Sequence, residues 1–398
     1  MTGISPVVLA DITSGYNVVE DISLKPEYAD LCGFHEDEIR ATLEQIVAEC
    51  RLPPTMASEA LDLMRTFYNG YCFCPREDRG QIYNPTLALY FFKHLAAHCE
   101  YPAKMLDSNL AMDRNRIQYV AQLPHGQQLV ADALNPEHPI VIGELSDRFG
   151  VEMMLKTPKN HDFLASLLYY FGVLTYFGHN EMGKLLLRVP NLVVRKLYVE
   201  RIQEAILPSF EINEERQAVI DRFYTTGDLS SLCDFIEQRF FPVFDNRDAR
   251  WTNELVIKTA FLTTLFNDIA YVMDSETAID KGYADLTLIV RPDMRQYRLL
   301  DHLLEFKHVS LKTLGLSSET IMAMTQDELA ALPLVRIQLD AAQSQLAKYR
   351  ETLERVYGEK LRLHTHAVMG LGLVRLVWES DVWRGNWGLA GYAGPLGG

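Results

Sequence analysis

Two apolar runs, Ala284-Asp285-Leu286-Thr287-Leu288-Ile289-Val290 and Leu303-Leu304-Glu305-Phe306-Lys307, have the length and hydrophobicity of buried strands yet carry charges inside them. An unpaired carboxylate in a buried strand is costly, so these charges are candidates for functional groups rather than filler. Side chains alternate along a strand, which puts Glu305 and Lys307 on one face and Phe306 on the other. A neighbouring strand bearing Asp285 would bring two carboxylates and an ammonium together. Such a set offers hard oxygen ligands for Mg²⁺ or Mn²⁺ and a cation near an attacked phosphate. The tripeptide alone is weak, because a surface strand with an ordinary ion pair produces it too. The context carries more weight: apolar residues on both sides, a lone Asp in the preceding strand, and flanking helix and turn signals. If the charges are structural ion pairs in a scaffold that binds another protein, the three groups are expected not to converge.

The chain has 398 residues, long enough for two or three domains, with 48% hydrophobic and 23% charged residues as in ordinary globular protein. A net charge of −15 argues against broad nucleic-acid affinity, which grows with the number of phosphates neutralised. Nucleic acid would need a local basic patch, drawn from Lys184, Arg188, Arg195, Lys196 and Arg201 or from Arg291, Arg295, Arg298, Lys307 and Lys312. The six cysteines, Cys32, Cys50, Cys72, Cys74, Cys99 and Cys233, lack paired metal-ligand spacing. Reduced thiols in a reducing compartment are the expected state. Neither a signal peptide nor a membrane-spanning run is evident, so a cytoplasmic location is expected.

The opening, Thr2 to Leu9, reads as the end of a strand entering a loop, an entry partway through a fold. Helices are expected from His35 to Cys50, from about Ser58 to the Asn69-Gly70 stop, and from Thr86 to Ala97 behind Asn84-Pro85. A turn-rich connection spans Tyr71 to Tyr83. Asp162 to Gly172 reads as a helix, Val173–Phe177 and Lys184–Val189 as a hairpin, and Leu192 to Leu207 as another helix. A polar stretch, Glu211 to Asp228, leads to a helix over Asn253–Ile269, the Asp285 strand, and a strand over Tyr297–Val309. An irregular insertion, Lys312 to Pro333, precedes a long helix over Arg336–Tyr357 and apolar runs His366–Leu373 and Val374–Trp378. This order makes a small α/β domain with a mixed sheet, in a chain that is α+β overall.

With those residues in hand, the chain resembles the bacterial and archaeal proteins that join an AAA-ATPase-like domain to a PD-(D/E)XK nuclease-superfamily domain. Thr2-Gly3-Ile4-Ser5-Pro6 with Asp11-Ile12-Thr13-Ser14-Gly15-Tyr16-Asn17, Phe67-Tyr68-Asn69-Gly70-Tyr71, Tyr83-Asn84-Pro85, Leu167-Leu168-Tyr169-Tyr170-Phe171-Gly172, Val189-Pro190-Asn191, Gly282-Tyr283-Ala284-Asp285-Leu286 and Leu304-Glu305-Phe306-Lys307 are similar to its landmarks and stand in its order. The resemblance implies a remnant of the ATPase domain over 1–105, mostly helical and lid-like. It implies a helical and β-hairpin, winged-helix-like region over 106–210 and a restriction-endonuclease-like domain with a mixed central sheet over 211–398.

By the same resemblance Asp285 and Glu305 ligate Mg²⁺ or Mn²⁺, and Lys307 orients the attacking water or stabilises the developing charge. Glu254 matches a helical acidic residue of some members, though a carboxylate near a helix start commonly just complements the dipole. Gln345 matches a polar residue on the helix after the catalytic strand, with Gln343 competing for that place. The expected function is a magnesium-dependent nuclease acting on DNA, ahead of RNA. The alternative is a catalytically inactive interaction or regulatory module, and a protein partner or second copy of the chain is admitted. No Gly-x-x-x-x-Gly-Lys-Ser/Thr sequence occurs, so ATP hydrolysis is not expected from this chain. Of two explanations, the carboxy-terminal part of a longer gene product or a shortened homologue that has lost the ATPase core, the mid-fold opening at Thr2 leads to the expectation of the first.

Overall fold

Pro53-Pro54, Asn84-Pro85 and Pro190-Asn191 are the punctuation from which the first half of the fold follows. The computed structural model describes residues 25–73, 80–106, 113–121, 123, 126–134, 139–146, 160–206, 209–242, 253–274, 277–279 and 282–381. The expected strand before Leu9 therefore lies outside the described residues. The chain divides into two compact units: one runs to Ser209 and takes in Thr259–Met273, and the other holds Phe210–Lys258 and everything from Asp274.

In the first unit, α1 (Glu36–Glu49), α2 (Thr55–Tyr68) and α3 (Pro85–His98) bury Ile39, Leu43, Leu61, Met64, Phe67, Leu87, Phe91 and Leu95. The acidic first turn of α1 suits the positive end of the helix dipole. Asn84 caps α3, its side-chain oxygen accepting from the amides of Thr86 and Leu87 at 3.0 and 3.2 Å. Cys50 and Cys99, just beyond the ends of α1 and α3, form a disulfide. The expectation of uniformly reduced thiols is thus corrected for this pair: two helix ends bring together residues that are 49 apart in sequence. Among the described residues, Cys32, Cys72 and Cys233 take part in no disulfide.

Two further helices, α4 (Asp113–Ala121) and α5 (Gly126–Asp132), precede β1 (Ile140–Ile142). Helix α6 (His161–Tyr170) follows, then the hairpin of β2 (Thr175–His179) and β3 (Leu185–Arg188), and α7 (Leu192–Ile206). The antiparallel sheet runs β1-β3-β2. Gly70 adopts φ +99°, and a Cβ there would lie 2.0 Å from the Pro190 carbonyl oxygen. The Asn191 side chain donates to the Asn69 carbonyl at 2.8 Å while its oxygen accepts from the Val194 amide at 3.1 Å, so one residue starts α7 and ties it to the end of α2. Two turns read separately in the sequence therefore form one junction.

The second unit opens with α8 (Phe210–Thr226) and α9 (Ser230–Arg239). This corrects the expectation of a polar stretch over Glu211–Asp228: Ile220, Phe223 and Tyr224 form a buried stripe on an otherwise charged helix. Helix α10 (Asn253–Leu265) starts in this unit and β4 (Tyr271–Asp274) ends in it, the residues Thr259–Met273 between belonging to the first unit; the pair β5 (Thr277–Ile279) and β6 (Gly282–Ala284), β7 (Leu286–Val290) and β8 (Asp301–Val309) follow. The expected irregular insertion after Val309 is instead three short helices, α11 (Leu311–Leu314), α12 (Ser318–Ala323) and α13 (Gln326–Ala330). Ser310, Ser317 and Thr325 cap them. Helix α14 (Pro333–Tyr357), β9 (Leu363–Leu371) and β10 (Arg375–Asp381) complete the unit.

In the sheet, β7 pairs antiparallel with β8, β8 parallel with β9, and β9 antiparallel with β10, so it is mixed. Val335, Leu339, Ala342, Leu346, Tyr349 and Leu353 of α14, alternating four and three apart, pack on Leu303, Leu363, Ala367 and Met369. Among the described residues no helix is long and apolar enough to cross a membrane.

Gly183, in the β2–β3 turn, also has positive φ, +73°, but a Cβ there meets nothing within 4 Å. Gly183→Ala is expected to cost about 1–2 kcal/mol, the backbone penalty alone. Gly70→Ala adds the overlap with Pro190 and is expected to cost about 3 kcal/mol or more. Urea unfolding of the two variants checks this, and equal losses would contradict the junction.

Candidate functional site

Register places the charges. Leu286 lies opposite Leu304 in the β7–β8 pair, so the chain just before β7 brings Asp285 beside Glu305 and Phe306. Asp285 is 8% exposed and accepts two hydrogen bonds: the Phe306 amide at 2.7 Å on Oδ2 and the Lys258 ammonium at 3.0 Å on Oδ1. Glu305, 3% exposed, accepts from the Lys307 ammonium at 2.8 Å on Oε1. Its other oxygen, Oε2, is buried with no hydrogen-bond partner among the described residues.

Helix α10 completes the cluster. Glu254 and Lys258 are four residues apart and share a helix face. Ile257 of the same helix packs on the other face of the sheet, at Gly370 of β9, where a Cβ would lie 2.1 Å from Ile257 Cδ1. Burial raises the pKa of Glu305 to about 7, and the charge of Asp285 adds to the rise, while Lys307 and Lys258 oppose it. Burial pulls the Lys307 ammonium down, but Glu305 outweighs it through charge and hydrogen bond, with Asp285 and Glu254 adding, so its pKa lies above the ordinary value.

Asp285, Glu305 and Lys307 are thus brought together, with Glu254 near enough to act on Lys307 by charge. Gln345 is half-buried on α14 and makes no hydrogen bond to the cluster. The competing Gln343 donates instead to Glu379, which also pairs with Arg336. Lys258 was not among the expected residues. Its signal was a lysine inside the apolar run Leu255-Val256-Ile257-Lys258-Thr259-Ala260-Phe261, four residues after Glu254.

Much of the expected basic patch has internal partners. Lys196 pairs with Asp268, Arg201 with Glu204, Arg291 with Asp293 and Arg295 with Asp301. Asp301 is fully buried, also accepting from the amides of Val290 and Arg362 at 2.8 Å each, and so pins the turn between β7 and β8.

The opposite face of β8 carries another titratable group. His302, His364 and His366 are buried, His302 aligning with His364 across the parallel β8–β9 pair. His302 Nδ1 lies 3.2 Å from His366 Nε2, His366 Nδ1 lies 2.8 Å from Ser380 Oγ, and Phe223 stacks on His302 at 4.1 Å. Burial first, and the neighbouring imidazoles second, hold His302 well below its usual range and His366 at about 3.

Among the described residues no group of three or more His, Cys, Asp or Glu side chains is arranged to hold a metal ion. The cluster therefore supplies at most a carboxylate pair, a set suited to a cation that keeps several waters, as Mg²⁺ does, rather than to an all-protein cage. The buried, unpartnered Glu305 Oε2 fits that use, since it is an acceptor lacking a donor. Compared with protein families, curated proteins and solved structures, the chain matches no family model, no curated protein and no solved structure.

The two clusters shape acid stability with opposite signs. The folded histidines are depressed, so the unfolded chain binds more protons below about pH 6.5; their stabilisation is present above that pH and lost as pH falls. Glu305 rises from its ordinary 4.5 to about 7 on folding, so between pH 7 and 5 it stabilises the fold as pH falls. Glu305→Gln removes that compensation, and the drop in unfolding free energy from pH 7 to 5 is expected to steepen by about 2 kcal/mol. Urea titrations at both pH values check it; an unchanged slope would show that Glu305 is not protonated near neutrality.

Proposed function

We propose that the protein is a divalent-metal-dependent phosphodiesterase related to the PD-(D/E)XK nucleases, acting on DNA ahead of RNA. The observation that carries the reading is the buried cluster in which Asp285 and Glu305 adjoin, Lys307 pairs with Glu305, and Glu305 Oε2 has no donor among the described residues. Asp285 and Glu305 would hold the ion. When bound, Mg²⁺ or Mn²⁺ would polarise the phosphodiester and ease deprotonation of a water.

The chain's own residues set the rest. The Phe306 amide fixes the Asp285 carboxylate through Oδ2, so that ligand position is built into the sheet rather than into a flexible side chain. Lys307 keeps its proton because Glu305 outweighs its desolvation, and a charged ammonium beside the carboxylates can orient a water or stabilise negative charge developing on phosphate. Glu254, in the first turn of α10, supports the charge on Lys307. With a net charge of −15, affinity for nucleic acid would rest on few local cations and fall steeply with salt.

A second reading, a nuclease-like fold used for interaction without catalysis, is favoured by one observation. Lys258 and Lys307 already neutralise Asp285 and Glu305 without an added ion. The readings separate on plasmid DNA with Mg²⁺ or Mn²⁺. Asp285→Asn preserves an acceptor for the Phe306 amide and avoids stranding that donor. If the nuclease reading holds, Asp285→Asn and Lys307→Ala each lower cleavage at least about 100-fold. Cleavage equal to that of the unaltered protein in both variants would assign the activity elsewhere, and no cleavage by the unaltered protein favours the second reading.

A further inference from the structure

Lys258 stands where the proposed metal site needs an open oxygen. We propose that Lys258 is a tethered competitor of the divalent cation: its ammonium occupies Asp285 Oδ1 and must leave it before a metal ion binds there. The inference rests on the metal-site reading above and adds to it a control on loading.

The geometry of Asp285 carries it. Oδ2 is committed to the Phe306 amide at 2.7 Å, a bond between backbone and side chain that cannot open without disturbing the end of β7. Oδ1 is held by Lys258 Nζ at 3.0 Å, and both residues are buried, at 5% and 8% exposure. A divalent ion bonded to the same oxygen at about 2.1 Å would lie within about 5 Å of the ammonium, with little water between them to screen the repulsion. Lysine is suited to leaving: it ends in a single charged nitrogen on a flexible four-carbon stem, whereas an arginine fork would hold the carboxylate through two donors.

Charge points the same way. The cluster contains three carboxylates, Asp285, Glu305 and Glu254, and two ammonium groups, Lys258 and Lys307. With all five ionised the cluster has a deficit of one, smaller while Glu305 holds a proton, so a divalent ion leaves an excess of at least one if both lysines stay, and Lys307 is the one held by Glu305. Asp285 and Glu305 are therefore not equivalent. Glu305 presents a buried, unpartnered Oε2, whereas the oxygen of Asp285 available to a metal is released only when Lys258 moves. Metal entry through Glu305, followed by exchange of Lys258 for the ion at Asp285, is the order these contacts favour.

The test is Mn²⁺ binding by the full chain without nucleic acid, read by calorimetry and by loss of the free Mn²⁺ resonance signal, with circular dichroism melting as the fold control. Lys258→Met removes the competing charge and keeps the stem; it is expected to bind Mn²⁺ at least about 10-fold more tightly, which is about 1.4 kcal/mol. Lys258→Arg keeps the charge and adds a second donor, and is expected to bind no more tightly than the unaltered protein. Equal or weaker binding by Lys258→Met overturns the proposal, as does tighter binding by Lys258→Arg, which stays decisive if Lys258→Met does not fold. Glu305→Gln separates the two levels of inference. If Mn²⁺ binding depends on Glu305 but not on Lys258, the metal site stands and the competitor falls; if neither the unaltered protein nor Lys258→Met binds Mn²⁺ through Glu305, the metal site falls and the competitor with it.

Discussion

A carboxylate withdrawn from water must be met by donors, and the hydrogen bond from the Phe306 amide to Asp285 Oδ2 is the contact on which the second unit's charged cluster depends. It ties the residue before β7 to the middle of β8 at a point where the ladder itself ends, since Leu286 and Leu304 form the first aligned pair. Once Asp285 is fixed there, alternation along β8 does the rest: Glu305 falls beside it and Lys307 joins Glu305 from two residues on. The same alignment leaves Asp285 Oδ1 directed away from the strand pair, toward α10, and makes Lys258 the cation that meets it. Moving the register by one residue would turn Glu305 and Lys307 to the histidine face and strand both charges.

Position along the chain decides which parts of this were legible beforehand. Asp285, Glu305 and Lys307 stand out because strands read in twos, and a charge inside an apolar strand breaks the pattern visibly. Lys258 breaks a pattern too, but a helix of mean apolar character absorbs a lysine without complaint, since a long stem can carry its charge to the surface. Only its burial and its hydrogen bond to Asp285 show that this lysine goes inward. Helix α8 is hidden in the sequence for the opposite reason. Its charges at Glu211, Glu214, Glu215, Arg216, Asp221 and Arg222 outweighed a three-residue stripe that decides where the helix packs.

Contacts between segments far apart in sequence were beyond local reading. Helix caps, proline starts and glycine stops set the ends of α1, α2 and α3, but nothing local says that the end of α1 meets the end of α3, and six cysteines allow about 15 full pairings before any fold is known. The His302–His366 contact needs the parallel register of β8 and β9, whose strands are separated by the three short helices and α14. Asn191 shows the intermediate case. Its role as a helix cap is readable from Pro190-Asn191, whereas its bond to the Asn69 carbonyl, and with it the demand for glycine at position 70, comes only from the packing of α7 against the end of α2.

The two faces of β8 divide labour by charge state. One face holds the carboxylates and ammonium groups of the cluster; the other holds imidazoles kept neutral by burial, hydrogen-bonded in a chain that ends on Ser380. Neutrality on that face matters for the first. A protonated histidine only a strand's thickness away would add a positive charge beside a cluster of three carboxylates and two ammonium groups, and would weaken its hold on any further cation. By keeping His302 and His366 neutral near neutral pH, the fold adds no positive charge from these two to the cluster on the other face. Within the cluster, the contact that an added cation at Asp285 would have to replace is the one from Lys258.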